Sequence, residues 1–136
     1  MIVLSTSAPQ TVAPGAAVVF NLLVRKAGNG ECFRMGGSAV QIRGFQCGAS
    51  YDVSYGANIG ATAPGVANLA IQFNGSTLPE TNAQSTTAAA GDLNNVARAT
   101  NVGTCGFGPG SITLVNVGTT EITVGAGAVL EISRRS

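Results

Sequence analysis

The sequence predicts an all-β antiparallel sandwich of about ten strands, and three observations carry that prediction. Candidate strands recur about every 8 to 12 residues, separated by Gly, Pro, Asn and Ser clusters, which is the spacing of sandwiches and barrels. The composition is 45% hydrophobic and only 10% charged, with 19 Gly and no Trp or His, so charged helix formers are scarce. The third observation is SYDVSYGANIGA, residues 50–61, which alternates strictly: Tyr51, Val53, Tyr55, Ala57 and Ile59 share one face, and Ser50, Asp52, Ser54 and Asn58 share the other. This strand holds both tyrosines of a chain that is 5% aromatic. The 136 residues fit one domain, residues 1–136, and a domain of that size buries roughly 65 to 70% of its unfolded surface.

Ile2 to Ser5 forms the first strand. SAPQTVAPG follows as an irregular loop, because Pro9 and Pro14 have no backbone donor to give to a ladder. Val18 to Val24 is apolar at both alternation sets, so it is expected to be covered on both faces. Ala27-Gly28-Asn29-Gly30 turns the chain, with Asn29-Gly30 supplying the positive φ of a primed hairpin turn, and Cys32 to Met35 returns. Gly36-Gly37 then turns it into Ala39 to Phe45.

Val66 to Asn74 alternates, with Leu69, Ile71 and Phe73 inward and Asn68, Ala70 and Gln72 outward. Asn74-Gly75 is the strongest hairpin signal in the chain and predicts an antiparallel return through Ser76 to Thr81. Residues 82–91 are small and polar; an extended strand stopped by Gly91-Asp92 fits them better than a single helical turn. Asn95 to Val102 and Ser111 to Val117 are expected to pair around the Cys105 to Gly110 loop. Gly118-Thr119-Thr120 closes another hairpin, and Ala128 to Arg134 ends the chain with Leu130 and Ile132 inward.

Seven basic and six acidic side chains leave a net charge of +1, too little for the basic footprint of a duplex nucleic-acid binder, so no nucleic-acid partner is expected. Arg25 with Lys26 and Arg134 with Arg135 are the paired positives and read as solvated strand ends. A soluble domain usually carries about 25% charged residues; the much lower fraction here points to an outer surface covered by neighbouring subunits.

Cys32, Cys47 and Cys105 lack C-x-x-C spacing, and no His exists to complete a zinc site. They read as three reduced, mostly buried thiols, with Cys32 and Cys47 the favoured pair if one disulfide forms. Residues 1–24 carry no charged side chain, yet there is no basic n-region, and polar STS, PQT and APG interrupt any apolar core of a signal peptide. The longest apolar stretch, AAVVFNLLV, is far short of a membrane span, so neither a Sec-type signal nor a membrane partner is expected.

Without His the commonest general base is missing, and Ser-His-Asp, Cys-His and HExxH arrangements are excluded. The Gly-rich stretch 103–110 has no Lys and leads into a strand, so it is no phosphate-binding loop. A two-carboxylate glycosidase would need two of Glu31, Asp52, Glu80, Asp92, Glu121 and Glu131 to converge beside aromatic sugar platforms, and the few aromatics sit in core-like alternation. Asp52 has no Ca²⁺-loop signature around it. Asn74-Gly75-Ser76 matches a glycosylation sequon, but its role as a turn explains it. The expectation is a non-enzymatic protein with no cofactor and no metal.

FQCGASYDVSYGAN, residues 45–58, resembles the central strand of the tumour-necrosis-factor/complement-type trimeric jelly roll. A closer likeness is to the small bacterial and phage jelly-roll domains found with collagen-like repeats, as in exosporium glycoproteins. It rests on APQTVAPGAAVVFN, YDVSYGANIGA, LAIQFNGSTLPET, AAGDLNNVARAT, SITLVNVG and AVLEISR, in that order along nearly the whole chain. The resemblance implies a TNF-like jelly-roll sandwich that assembles as a homotrimer. It implies that Tyr51, Val53 and Tyr55 are inner-sheet or axial packing residues, with Leu114 and Leu130 as their partners from neighbouring strands.

No Gly-X-Y stalk stands before the domain, which begins almost at Met1, so the protein is expected to reach its working place by docking through its first residues or a trimer face. That suits a bacteriophage capsid decoration or head-fibre protein, assembled in the host cytoplasm and placed on the virion against the major capsid protein or another particle component. The alternative is a trimeric adhesion or lectin-like module of a bacterial cell or spore surface, whose partners would be surface glycans.

Overall fold

The computed structural model describes residues 1–26, 33–36, 38–43, 49–104 and 109–134, which form thirteen strands in two antiparallel sheets. They are β1 (Ile2–Ser5), β2 (Gln10–Val12), β3 (Leu22–Lys26), β4 (Phe33–Gly36), β5 (Ala39–Arg43), β6 (Ala49–Ala61) and β7 (Gly65–Phe73). After them come β8 (Ser76–Thr77), a 3-10 turn (Pro79–Thr81), β9 (Ala83–Thr87), β10 (Asn94–Thr104), β11 (Pro109–Asn116), β12 (Ile122–Val124) and β13 (Val129–Arg134). Among the described residues no helix is long and apolar enough to cross a membrane.

The first sheet is built around β6. One edge of β6 carries β10 in an unbroken ladder from Thr104 opposite Ala49 to Asn94 opposite Ile59. The other edge is shared by β13, opposite Tyr51 to Gly56, and β12, opposite Ile59 to Ala61. Beyond β13 lie β1 and then β3, and beyond β12 lies β2. The second sheet runs β4, β5, β11, β7, with β8 and β9 both on the far edge of β7. Strands close in sequence repeatedly pass to the opposite sheet, the connectivity of a jelly roll.

Between the sheets lies one apolar core. From the first sheet it takes Ile2, Leu4, Tyr51, Ile59 and Leu130, and from the second Ile42, Leu69, Ile71, Ile112 and Leu114, each at most 2% exposed. Burying one such side chain is worth about 1.5 to 3 kcal/mol, so the paired inner faces are the main source of the fold's stability.

Several strands form as the local pattern predicts, but their partners differ. Ile2 to Ser5, Ala39 onward, Val66 onward and Ala128 onward are strands, and Leu130 and Ile132 are fully buried. The hairpin expected between Val18–Val24 and Cys32–Met35 is not made: β3 pairs with β1 in one sheet and β4 with β5 in the other. The turn at 27–30 and all three cysteines lie outside the described residues. Likewise β10 pairs with β6 and β11 with β5 and β7, so the two do not pair with each other, and β12 pairs with β2 and β6 rather than with β11. A turn signal reverses the chain, but the reversal is equally compatible with crossing to the other layer.

Three further expectations change. The loop between Pro9 and Pro14 contains β2, because each proline restricts only itself and its predecessor, leaving Gln10–Val12 free to pair with β12. Val18 and Phe20 are buried, but Val19 and the whole of β3 are exposed; the apolar run is covered only where it passes into the core. The Asn74-Gly75 turn forms with φ of 52° and 83°, but its return strand stops at Thr77, since Pro79 opens the 3-10 turn.

Asn116 organises the first turns around the core. It is fully buried, and its Nδ2 donates to the carbonyls of Val12 (3.0 Å) and Thr120 (2.9 Å), while its Oδ1 accepts from the Gly118 amide (3.0 Å). Gly60 is equally constrained: a Cβ there would lie 2.0 Å from the Asp92 carbonyl, so the turn at 89–93 rests directly on β6 backbone.

Candidate interaction surface

β6 is the longest strand, and its two faces do different things. Tyr51, Val53, Tyr55, Ala57 and Ile59 face the core, none more than 3% exposed. Leu114 on β11 and Leu130 on β13 are both at 0%. All five residues that the resemblance singled out, Tyr51, Val53, Tyr55, Leu114 and Leu130, therefore lie in the sandwich interior of a single chain. Burial pushes the Tyr55 phenol well above its ordinary pKa, opposed in part by the Arg98 guanidinium from the facing position on β10. Its hydroxyl donates to the Thr81 carbonyl, so this neutral, bonded phenol is a structural group rather than an acid or base.

The opposite face of β6 carries Ser50, Asp52, Ser54, Gly56 and Asn58, which alternate with the core residues. The registers extend this face sideways. Gly56 stands between Ala97 of β10 and Val129 of β13, and Ser54 between Ala99 and Glu131. Asp52 stands between Asn101 and Ser133, and Asn58 beside Asn95, whose Nδ2 donates to the Asn58 Oδ1 at 3.1 Å. The middle is thus small and uncharged, with Gly56, Ala97, Ala99, Ser54 and Val129, and carboxylates or amides flank it. Ala97, Ala99 and Val129 are exposed. At Gly56 a Cβ would meet nothing nearer than the Val96 carbonyl at 3.9 Å, so space rather than crowding lies outside it.

The outer face of β6 and its neighbours therefore has a small, uncharged centre between polar flanks. Among the described residues no three of His, Cys, Asp and Glu gather as metal ligands. A shallow cleft of ≈ 280 Å³ on the second sheet is lined by Gly15, Gln72, Thr77, Val115, Asn116, Val117 and Gly118, with no titratable side chain. Its Thr77 hydroxyl accepts from Gln72, and the Asn116 amide is fully engaged. Sequence reasoning passed over Gly56, Ala97 and Ala99 because such residues carry no chemistry of their own. The signal that locates them is the same alternation, followed on its polar side.

No protein-family model matches this chain, and no curated protein matches it by sequence. Solved structures do. Murine APRIL matches with a TM-score of 0.65 at 11% identity, over 99% of this chain and 97% of that one. The globular domain of zebrafish complement 1qA protein matches at 0.59 and 10% identity, over 97% and 94%. The PRD1 vertex protein P5 matches at 0.55 and 13% identity, over 99% and 94%. The fold is accordingly the TNF-like jelly roll, and at these identities the likeness extends to the fold alone.

Proposed function

We propose that this chain is a non-enzymatic structural protein that forms a homotrimer on the surface of a bacteriophage particle, as a capsid decoration or head-fibre component. The observation that carries the self-association is the outer face of β6 and β10: small, uncharged at its centre and open to approach along the longest ladder of the molecule. With no bulky side chain at its centre another backbone can come close to this face, and the flanking Asp52, Glu131, Asn58 and Asn95 supply a polar rim. Tyr51, Val53, Tyr55, Leu114 and Leu130 serve the trimer from behind, by holding the strands whose other face meets the neighbours.

Placement on a particle is supported by the vertex protein P5 of PRD1 having the same fold over nearly the whole of both chains. In this reading the trimer docks onto the major capsid protein or another virion component and contributes by contact area. No residue acts as a catalyst.

Light scattering at micromolar concentration tests the association directly. A species of three times the 13.5 kDa chain is expected. Gly56→Arg and Ala99→Arg should reduce it to monomer while circular dichroism stays that of a folded sandwich. A wild-type monomer, or a trimer indifferent to both substitutions, overturns the proposal. Binding of the trimer to purified particles, with unbound protein removed by sedimentation, tests the second half.

A further inference from the structure

Val19, Leu22, Leu23 and Val24 are 52%, 42%, 54% and 56% exposed, and they are four of the seven large apolar side chains left open among the described residues. All four fall within six consecutive positions. β3 ends its sheet: β1 occupies one edge, and among the described residues no strand pairs with the other. The register slips between Val3 and Leu4, which leaves Val24 with no partner on β1. Leu23 stands opposite Leu4, on the side of the sheet that lines the core, yet Leu4 is 1% exposed and Leu23 54%. The core-lining surface therefore runs past β1 into the open.

We propose that the β3 edge is a docking strand for an extended apolar segment of a different protein, one that carries carboxylates where it passes Arg25 and Lys26. Charge decides the occupant. Arg25 and Lys26 close the strand, and neither has a carboxylate partner among the described residues. Residues 1–26 contain no Asp or Glu, so a second copy laid antiparallel along β3 adds two more cations and offers no carboxylate to any of the four. A foreign segment with apolar side chains on both faces and an acidic end satisfies Leu22, Leu23 and Val24 together with the two cations. This goes beyond the threefold association, which uses the outer face of β6 and β10.

The test is a displayed library of random peptides of about twelve residues, long enough for a strand and its flanks, panned on the full chain. Enriched sequences should combine β-branched or aromatic residues with adjacent Asp or Glu. As synthetic peptides in fluorescence polarisation they should bind at least about tenfold more weakly to Leu23→Asp and Val24→Pro. The double variant Arg25→Glu with Lys26→Glu should prefer the same peptides with Lys in place of the acid, and it decides the matter if Val24→Pro fails to fold. Three results overturn the proposal: no enrichment, peptides that bind equally well without their acids, or peptides indifferent to all the variants. A fall in the light-scattering mass of the protein on Leu23→Asp also overturns it, because a second copy then occupies the edge.

Discussion

The Tyr55 hydroxyl donates to the Thr81 carbonyl at 2.5 Å and lies 3.1 Å from the Leu69 carbonyl. It joins the central strand of one sheet to the 3-10 turn beside the other. Thr81 passes the connection on, its Oγ1 accepting from the Ile71 amide at 2.9 Å and donating to the Leu78 carbonyl at 2.7 Å. Tyr55→Phe keeps the ring and removes the donor, leaving the buried carbonyls short of a partner, at a cost of about 1 to 3 kcal/mol. Urea unfolding measures it, and the mass of the assembled protein should not change.

Alkaline titration isolates the same group. Its folded-state pKa is raised by burial, while the unfolded phenol ionises near pH ~10. Above that pH the unfolded chain has released a proton that the folded chain still holds, so stability falls as pH rises; below it both states are protonated and the contribution is flat. From pH ~10 upward the wild type should therefore lose stability faster than Tyr55→Phe, by up to about 1.4 kcal/mol per pH unit. Parallel stability profiles for the two proteins would refute the assignment.

Asn116 offers a sharper contrast. Asn116→Ala strips the Val12 and Thr120 carbonyls and the Gly118 amide of their shared partner and should lower stability by at least about 2 kcal/mol. Asn116→Asp turns a donor toward two carbonyls into a charged acceptor. It should be more damaging at pH 8 than at pH 4, where the protonated acid can donate to one of them. Thermal unfolding at the two pH values separates these outcomes.

Two glycines of β6 should behave in opposite ways. Gly60→Ala places its methyl against the Asp92 backbone, and overpacking of that kind costs about 1 to 3 kcal/mol or more. Gly56→Ala meets only open space and should leave single-chain stability within about 0.5 kcal/mol. Unfolding midpoints of the two variants at equal concentration check the pair.

The alternation of residues 50–59 was legible because one face of β6 is buried and the other is not, and period two separates those faces until Gly60, which the turn at 89–93 covers. The strand ending at Arg134 was legible for the same reason, whereas in β7 Ala70, expected outward, is buried with Leu69 and Ile71. Partner choice was not. Asn29-Gly30 and Gly118-Thr119-Thr120 announce reversals, but whether a reversed strand lands beside its predecessor or in the facing sheet depends on contacts far away in sequence, such as Ile2 with Ile132. The candidate surface was hidden for a different reason. Apolar alternation shows that Tyr51, Val53 and Tyr55 need cover without showing whether the chain's own second sheet or a neighbour provides it. The small residues behind them give no hydrophobic signal at all.

The position of β13 between β1 and β6 sets the order in which the first sheet can be completed. β6 and β10 can zip together once residues up to 104 are in place, but β1 and β3 reach that sheet only through β13. In the finished sheet the burial of Ile2 and Leu4 therefore depends on β13 being in place. The pairing of Ile2 with Ile132 closes the longest sequence separation in either sheet. A strand from one end of the described chain thus holds its place only through a strand from the other, so loss of β13 should release β1 and β3 from the sheet together.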